Sequence, residues 1–174
     1  MIAGIDASTS STGLALPDGR LATVVPRAGA KEPARRLDEI EREVIRTLRI
    51  SPPLPRLVLV EGPAPHSLGI LSTIATAKVR AVVELALYRL GVPWVEINPV
   101  SLKRYATGNG HAEKSAMIDA AEELGATPRN DDEADAFHLR HLGRAAYGLE
   151  PLTIGHRIEI VASMTWPPID RSTP

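Results

Sequence analysis

Four acidic residues stand where the surrounding pattern does not favour an acid. Asp6 interrupts an apolar run, and Glu61 ends a second one. Asp132 and Asp135 are three residues apart, which places them on the same face if their segment is helical. Each acid taken singly has an ordinary structural explanation: a polar turn, a strand-to-loop transition, or the preference for acids at a helix start.

Together the four acids would form a cluster with a definite chemistry. Strand ends of one sheet converge on one rim, and a helix across that rim can add two further carboxylates. Carboxylates gathered at one rim repel one another unless a cation lies among them. Oxygen ligands without thiolates suit Mg²⁺ or Mn²⁺. Two such ions about 4 Å apart are the arrangement for in-line displacement at phosphorus, so the cluster indicates a phosphodiester nuclease.

The elements that must position these acids can be predicted from periodicity. Apolar runs predict strands at 2–7, 12–16, 21–25, 57–60 and 94–97, with a late one at 157–161. Helical spacing predicts helices at 33–48, 67–90, 100–106, 112–124 and 131–147. This order favours an α/β fold, with one mixed five-stranded sheet and helices on both faces. We expect a nuclease domain over 1–150 and a C-terminal extension over 151–174, holding one strand and a loose tail.

Composition excludes several classes of protein. The chain has 174 residues and no cysteine, which excludes a disulfide framework, a thiolate zinc site and a cysteine nucleophile. A net charge of −1 means that local basic patches would have to hold any nucleic acid. The aromatic content of 3% argues against an extended base-stacking platform. We expect no membrane span and no signal peptide, and hence a cytoplasmic protein.

The order and spacing of several motifs over about residues 2–146 resemble the RuvC family of Holliday-junction resolvases, the short phage-type members especially. The most specific are the segment from Lys103 through the TGNG run to Lys114, and the final DDEADA run. The motifs are Gly4-Ile5-Asp6, Leu59-Val60-Glu61-Gly62, Pro99-Val100-Ser101-Leu102-Lys103, Thr107-Gly108-Asn109-Gly110, Ala112-Glu113-Lys114 and Asn130-Asp131-Asp132-Glu133-Ala134-Asp135-Ala136.

The resemblance implies a ribonuclease-H-like fold and a homodimer that cuts two strands of a four-way junction symmetrically. Hydrolysis would leave a 5′-phosphate and a 3′-hydroxyl. Two Mg²⁺ ions, replaceable by Mn²⁺, would be held by the four acids, with Asp6 shared between them. Lys103 and Lys114 match the family's DNA-contacting and catalysis-supporting lysines.

Further DNA contacts are predicted around these lysines. Glycines let a backbone approach the duplex closely. Where cellular resolvases carry an aromatic residue, this chain has His66 instead, a candidate DNA contact. His138, one turn beyond Asp135, is a further catalytic candidate, and the helix 67–90 is the candidate dimer face. The remaining predicted DNA contacts are Gly108, Asn109, Gly110, Lys78, Arg80 and Arg104.

Other functions remain open at this point. The run from Asp6 to Gly13 also resembles the phosphate loop of actin-like sugar kinases, but those enzymes need two such domains. A non-cleaving module that binds branched DNA is disfavoured, because four buried acids are costly unless they hold metal. A broader nuclease for flaps and forks, or a small RNA-processing enzyme, leaves no local signature that separates it from a resolvase. The sequence indicates no particular branch-migration or replication partner.

Overall fold

One five-stranded sheet forms the centre of the protein. The computed structural model describes residues 1–27, 32–50, 52–63 and 69–169. The strands are β1 (Ile2–Ala7), β2 (Thr12–Ala15), β3 (Leu21–Val24), β4 (Leu57–Glu61) and β5 (Trp94–Ile97). Their order is β3-β2-β1-β4-β5; β1, β2 and β3 pair antiparallel, and β4 and β5 continue parallel to β1. The predicted mixed sheet is confirmed.

Helices cover both faces of the sheet, as predicted. The two on one face are α1 (Pro33–Arg49) and α2 (Ile70–Leu90). On the other side lie α3 (Pro99–Thr107), α4 (Lys114–Glu123), α5 (Asp131–Ala146) and α6 (Gly155–Ala162). Within the described ranges, no helix combines the length and apolarity that crossing a membrane requires.

Strand alternation decides which layer each side chain enters. Ala3 and Ile5 of β1 pack into the core shared with α1 and α2, whereas Ile2 joins the opposite core. In β4, Val58 and Val60 face the first core, and Leu57 and Leu59 the second. Side chains two residues apart share a face, so Asp6 and Glu61 both point to the α5 side.

Two glycines let α5 lie directly on β1 and β2. A Cβ on Gly4 would stand 2.1 Å from the carbonyl oxygen of Ala136, and one on Gly13 would stand 2.0 Å from that of Asp132. Both distances are far inside van der Waals contact, so only glycine permits this approach. The backbone of α5 is thereby fixed above the end of β1 that carries Asp6.

The C-terminal prediction is wrong in two respects. Residues 157–161 lie in α6 and not in a strand; their β-branched alternation reflects packing preference, which tertiary contacts override. The predicted loose tail is packed as far as it is described. Trp166 donates from Nε1 to the Val161 carbonyl at 2.9 Å and meets the Tyr147 ring edge-on. Residues 170–174 lie outside the described ranges.

We predict that Gly13→Ala lowers the free energy of unfolding by at least about 2 kcal/mol, because the new methyl overlaps the α5 backbone. Urea denaturation measures the change. Gly155→Ala is the matched control: nothing lies within 4 Å of its added Cβ, and we expect its stability to be equal or higher. Equal stability of Gly13→Ala and the native chain would contradict the close approach.

Candidate active site

Asp6 and Glu61 meet at the edge of the sheet where β1 and β4 end. The parallel register pairs Ile5 with Val60, so the next residues of the two strands lie side by side. Asp6 is only 6% exposed, and Glu61 is partly buried. Their carboxyl groups are within hydrogen-bonding reach of each other, and this interaction raises the pKa of Asp6 and lowers that of Glu61.

Burial and repulsion shift both acids toward the protonated form. Desolvation raises the pKa of Asp6 well above its usual range, and the charges of Glu61, Asp135 and Asp132 raise it further. Desolvation also raises the pKa of Glu61, although the hydrogen bond to Asp6 and the charge of Lys103 oppose that rise. Asp6 is therefore the acid whose pKa is raised more strongly.

The first turns of α5 bring the other two acids to the same rim. The Asn130 side chain caps the helix by accepting from the Glu133 amide at 2.9 Å, and acids in a first turn are favoured by the helix dipole. Asp135 is partly buried, and its desolvation, followed by the charges of Glu61 and Asp131, raises its pKa to about 8. Electrostatic coupling thus links all four predicted acids.

Glu133, between them, has a structural role. It is fully buried and accepts hydrogen bonds from Thr23 Oγ1 at 2.7 Å and from Arg129 Nη2 at 2.5 Å. Burial alone would raise its pKa, but the bonds from Arg129 and Thr23 hold the pKa below its usual range. This ionised side chain anchors the start of α5 to β3.

Ser11 is a site residue that sequence analysis missed. Its hydroxyl donates to Oδ2 of Asp132, and this bond joins the β1–β2 turn to α5. Arg36 of α1 supports the same turn by donating to the Thr9 carbonyl. The only sequence signal was the run of hydroxyl residues after Asp6, which a polar turn explains equally well.

The donor set fits a hard divalent cation. Among the described residues, Oδ1 of Asp135 is buried and has no hydrogen-bond partner. The charges of Glu61, Asp131 and Asp132 act on this carboxyl group. Among the residues that the structure describes, no three Asp, Glu or His side chains are grouped closely enough to hold a metal ion. Asp6 instead lies within hydrogen-bonding reach of Glu61, and Asp132 accepts a hydrogen bond from Ser11.

The two predicted lysines flank these acids differently. Lys103 of α3 donates from Nζ to the Ala112 carbonyl at 2.8 Å, and its charge acts on both Glu61 and Asp135. Lys114, at the start of α4, pairs with Asp131 and leaves its side chain 79% exposed. The hydrogen bond from Lys114 to Asp131 raises the pKa of the lysine. Both lysines therefore stay near the acidic rim.

Between the lysines runs a tight loop, residues 107–110. Gly108 has a φ of +83°, a left-handed conformation that suits glycine. The Asn109 side chain accepts from the His111 amide at 3.0 Å, and the Thr107 hydroxyl accepts from the Asn109 amide at 3.1 Å. Gly108 and Asn109 are exposed, so the loop presents backbone to solvent near the site.

The remaining basic candidates divide by their partners. Arg80 is wrong as a predicted DNA contact: it is largely buried and paired with Glu84 and Glu96, so it joins α2 to β5. Arg104 pairs with Glu159 at 2.8 Å but stays half exposed. Lys78 is exposed on α2. The prediction for His66 falls outside the described residues.

His138 does not join the acids. Its ring is fully buried, and Nε2 lies 2.9 Å from the Met117 carbonyl of α4. The side chain is committed to packing between α5 and α4, and this overturns its predicted catalytic role. Burial lowers the pKa of His138 to about 4.

Comparison with known proteins identifies the family. No protein-family profile matches the chain. It is 31% identical over 161 residues to the crossover junction endodeoxyribonuclease RuvC of Synechococcus sp. (strain CC9311), covering 82% of this chain and 96% of that relative. The chain belongs to the RuvC family. A shorter match to RuvC of Gloeobacter violaceus is 39% identical over 92 residues, covering 51% of this chain and 52% of the relative.

Solved RuvC structures agree with this assignment. The structure of Thermus thermophilus RuvC superposes with a TM-score of 0.64 at 26% identity, covering 85% of this chain and 96% of that one. RuvC of the same organism in complex with a Holliday junction substrate gives a TM-score of 0.67 over the same shares, at 24% identity, and shows the shared fold. The predicted ribonuclease-H-like fold class is confirmed.

We predict that acidification destabilises the protein through His138. Its folded-state pKa of about 4 lies below the ordinary 6.5, so the unfolded chain binds more protons between those values. Stability is therefore lost as the pH falls from 6.5 toward 4, by about 1.4 kcal/mol per pH unit for one such group. His138→Gln replaces the ring N–H by an amide donor that does not titrate, and urea denaturation across this range should show the native chain losing more stability. Parallel curves for the two proteins would contradict the prediction.

We predict that Asp135→Asn stabilises the protein in EDTA and removes its response to Mg²⁺. At pH 8.5 the substitution relieves a buried charge, so Tm should rise by about 3 °C or more. Mg²⁺ should raise Tm of the native chain but not of the variant. Asp119→Asn, an exposed acid of α4, is the control and should behave like the native chain. Equal Mg²⁺ responses in Asp135→Asn and the native chain would exclude Asp135 as a ligand.

Proposed function

We propose that this protein is a metal-dependent endonuclease that resolves Holliday junctions by paired phosphodiester hydrolysis. The observation that carries the proposal is the electrostatically coupled set of four acids at the rim where β1, β4 and α5 meet, in a chain of the RuvC family. Its relatives are named crossover junction endodeoxyribonucleases, and one related structure contains a Holliday junction substrate.

Asp6, Glu61, Asp132 and Asp135 would hold two Mg²⁺ ions, with Mn²⁺ as a substitute. When bound, the ions supply an activated water on one side of the phosphorus and stabilise the leaving oxygen on the other. Metal binding would compete with protonation of Asp6 and Asp135, because burial raises the pKa of both acids. Ser11 orients Asp132 throughout, since its hydroxyl fixes one carboxylate oxygen.

The DNA would lie across the rim and the loop beside it. Lys114 is an exposed cation paired with Asp131 of α5, and the charge of Lys103 acts on Asp135. The backbone of Gly108, Asn109 and Gly110 can approach a phosphate because no long side chain intervenes. Arg104 is exposed enough to extend this contact, whereas Arg80 is largely buried and Lys78 lies on α2, on the opposite face of the sheet.

A second copy of the chain would complete the enzyme. The start of α2 exposes Ile70 at 80% and Leu71 at 84%, and its end exposes Tyr88 at 74%. Apolar side chains exposed along one helix mark an interaction surface. We infer that α2 of one protomer packs on its partner. Two active sites held in one dimer account for paired cuts in the two strands of a junction.

The decisive experiment is cleavage of a labelled four-way junction in Mg²⁺. We expect symmetric paired nicks with 5′-phosphate and 3′-hydroxyl ends, abolished by EDTA. Asp6→Asn should slow cutting by at least about a hundredfold, because it removes the central carboxylate. Asp119→Asn serves as the matched acid-to-amide control and should cut normally.

Linear duplex, a flap and a Y-fork run beside the junction. Comparable cutting of flaps and forks would retain the chemistry and replace the resolvase by a broader branched-DNA nuclease. Tight binding of the junction without cutting in Mg²⁺ or Mn²⁺ would refute the enzyme and leave a binding module.

A further inference from the structure

Arg157 of α6 satisfies the open end of α3. Its Nε donates to the Tyr105 carbonyl and its Nη2 to the Ala106 carbonyl, each at 3.2 Å. Carbonyls in the last turn of a helix have no partner within the helix. The guanidinium also lies over the Tyr105 ring, 5.5 Å from its centre. Among the described residues Arg157 has no acidic partner, so its donors serve the end of α3.

Its neighbour His156 covers the loop that follows. A Cβ on Gly108 would lie 3.5 Å from the His156 ring, which is ordinary contact. On the other side Gly110 is pressed against α3, where an added Cβ would lie 2.6 Å from Cγ1 of Val100. Lys103 closes the loop from within by reaching Ala112. Residues 107–110 are therefore held between α3 and α6.

The element that carries Arg157 is itself firmly anchored. Ile160 is buried in the same apolar core as Leu102 and Tyr105. Beyond α6 the chain returns to α5, where the Tyr147 hydroxyl donates to the Pro167 carbonyl at 2.5 Å. Arg104 and Glu159 add an ion pair between α3 and α6. The segment 152–169 is therefore held in place, and through Arg157 it holds the end of α3 in place.

We propose that residues 152–169 form a C-terminal clamp that sets the loop 107–110 for DNA contact, and that Arg157 is its main positioning residue. The proposal rests on the proposed function for the loop's role in binding. Without Arg157 the carbonyl groups in the last turn of α3 lose their hydrogen-bond donor. That turn then frays, and the loop 107–110 moves with it. The four acids stay in place, because β1, β4 and α5 hold them.

The test compares Arg157→Met and Arg157→Lys in the full chain. Methionine keeps the apolar stem but donates no hydrogen bond; lysine keeps the charge and reaches one carbonyl. We expect amide hydrogen exchange at Gly108, Asn109 and His111 to rise about tenfold in Arg157→Met, with a smaller rise in Arg157→Lys. Junction affinity in Ca²⁺, which permits binding, should weaken about three- to tenfold in the same order. The Mg²⁺ concentration for half-maximal cutting should stay unchanged.

Arg144→Met is the matched control. Arg144 also binds a carbonyl and an acid, Leu149 and Glu150, but at the far end of α5. Loop exchange and affinity should stay native there. Three results would each overturn the clamp. They are native loop exchange in both Arg157 variants, native junction affinity despite faster loop exchange, and an equal loss of affinity in Arg144→Met. If Arg157→Met fails to fold, the graded response of Arg157→Lys decides the question. Failure of the native chain to bind junctions would count against the proposed function, whereas loop exchange tests the clamp independently.

Discussion

The close packing of α5 on β1 and β2 is the contact on which the site depends. Four acids of like charge come from three elements, and each is more stable apart from the others in water. They are held together because Gly4 and Gly13 admit the α5 backbone to a distance that any side chain would prevent. The apolar cores on both faces of the sheet offset the repulsion that this arrangement creates.

The acids of α5 show how one helix end separates structural from chemical roles. Glu133 is ionised, buried and saturated with donors, so it fixes the helix to β3. Asp131 is paired with Lys114, and this hydrogen bond, against a smaller effect of burial, lowers its pKa. Within the described part of the chain, Oδ1 of Asp135 has no donor, and the pKa of Asp135 is raised. Strongly perturbed acids without compensating donors are typical of functional sites.

Sequence periodicity predicted most of the elements, and the failures have physical causes. The strand 2–7 and the helix 131–147 were recognisable because burial imposes strict patterns on their side chains. The strand predicted at 157–161 was wrong because its alternation of Ile and charged residues suits α6 packed on α3 equally well. Arg80 and His138 were misjudged for another reason: a sequence shows a charge or a ring but not its partner. Glu96 and the Met117 carbonyl, distant along the chain, decided their roles.

The sequence by itself determined the sheet, the four acids and the family motifs, since these follow from local pattern and residue type. Asp6 and Glu61 were predictable as neighbours because each ends a strand of the same sheet. The carboxyl ends of neighbouring parallel strands lie side by side at one edge. Tertiary structure alone decided the hydrogen bond from Ser11 to Asp132, the burial of Arg80 and the contact of Arg157 with the end of α3. Each of these joins residues from separate elements, and such partnerships depend on how close the elements approach and at what angle, which no local pattern encodes.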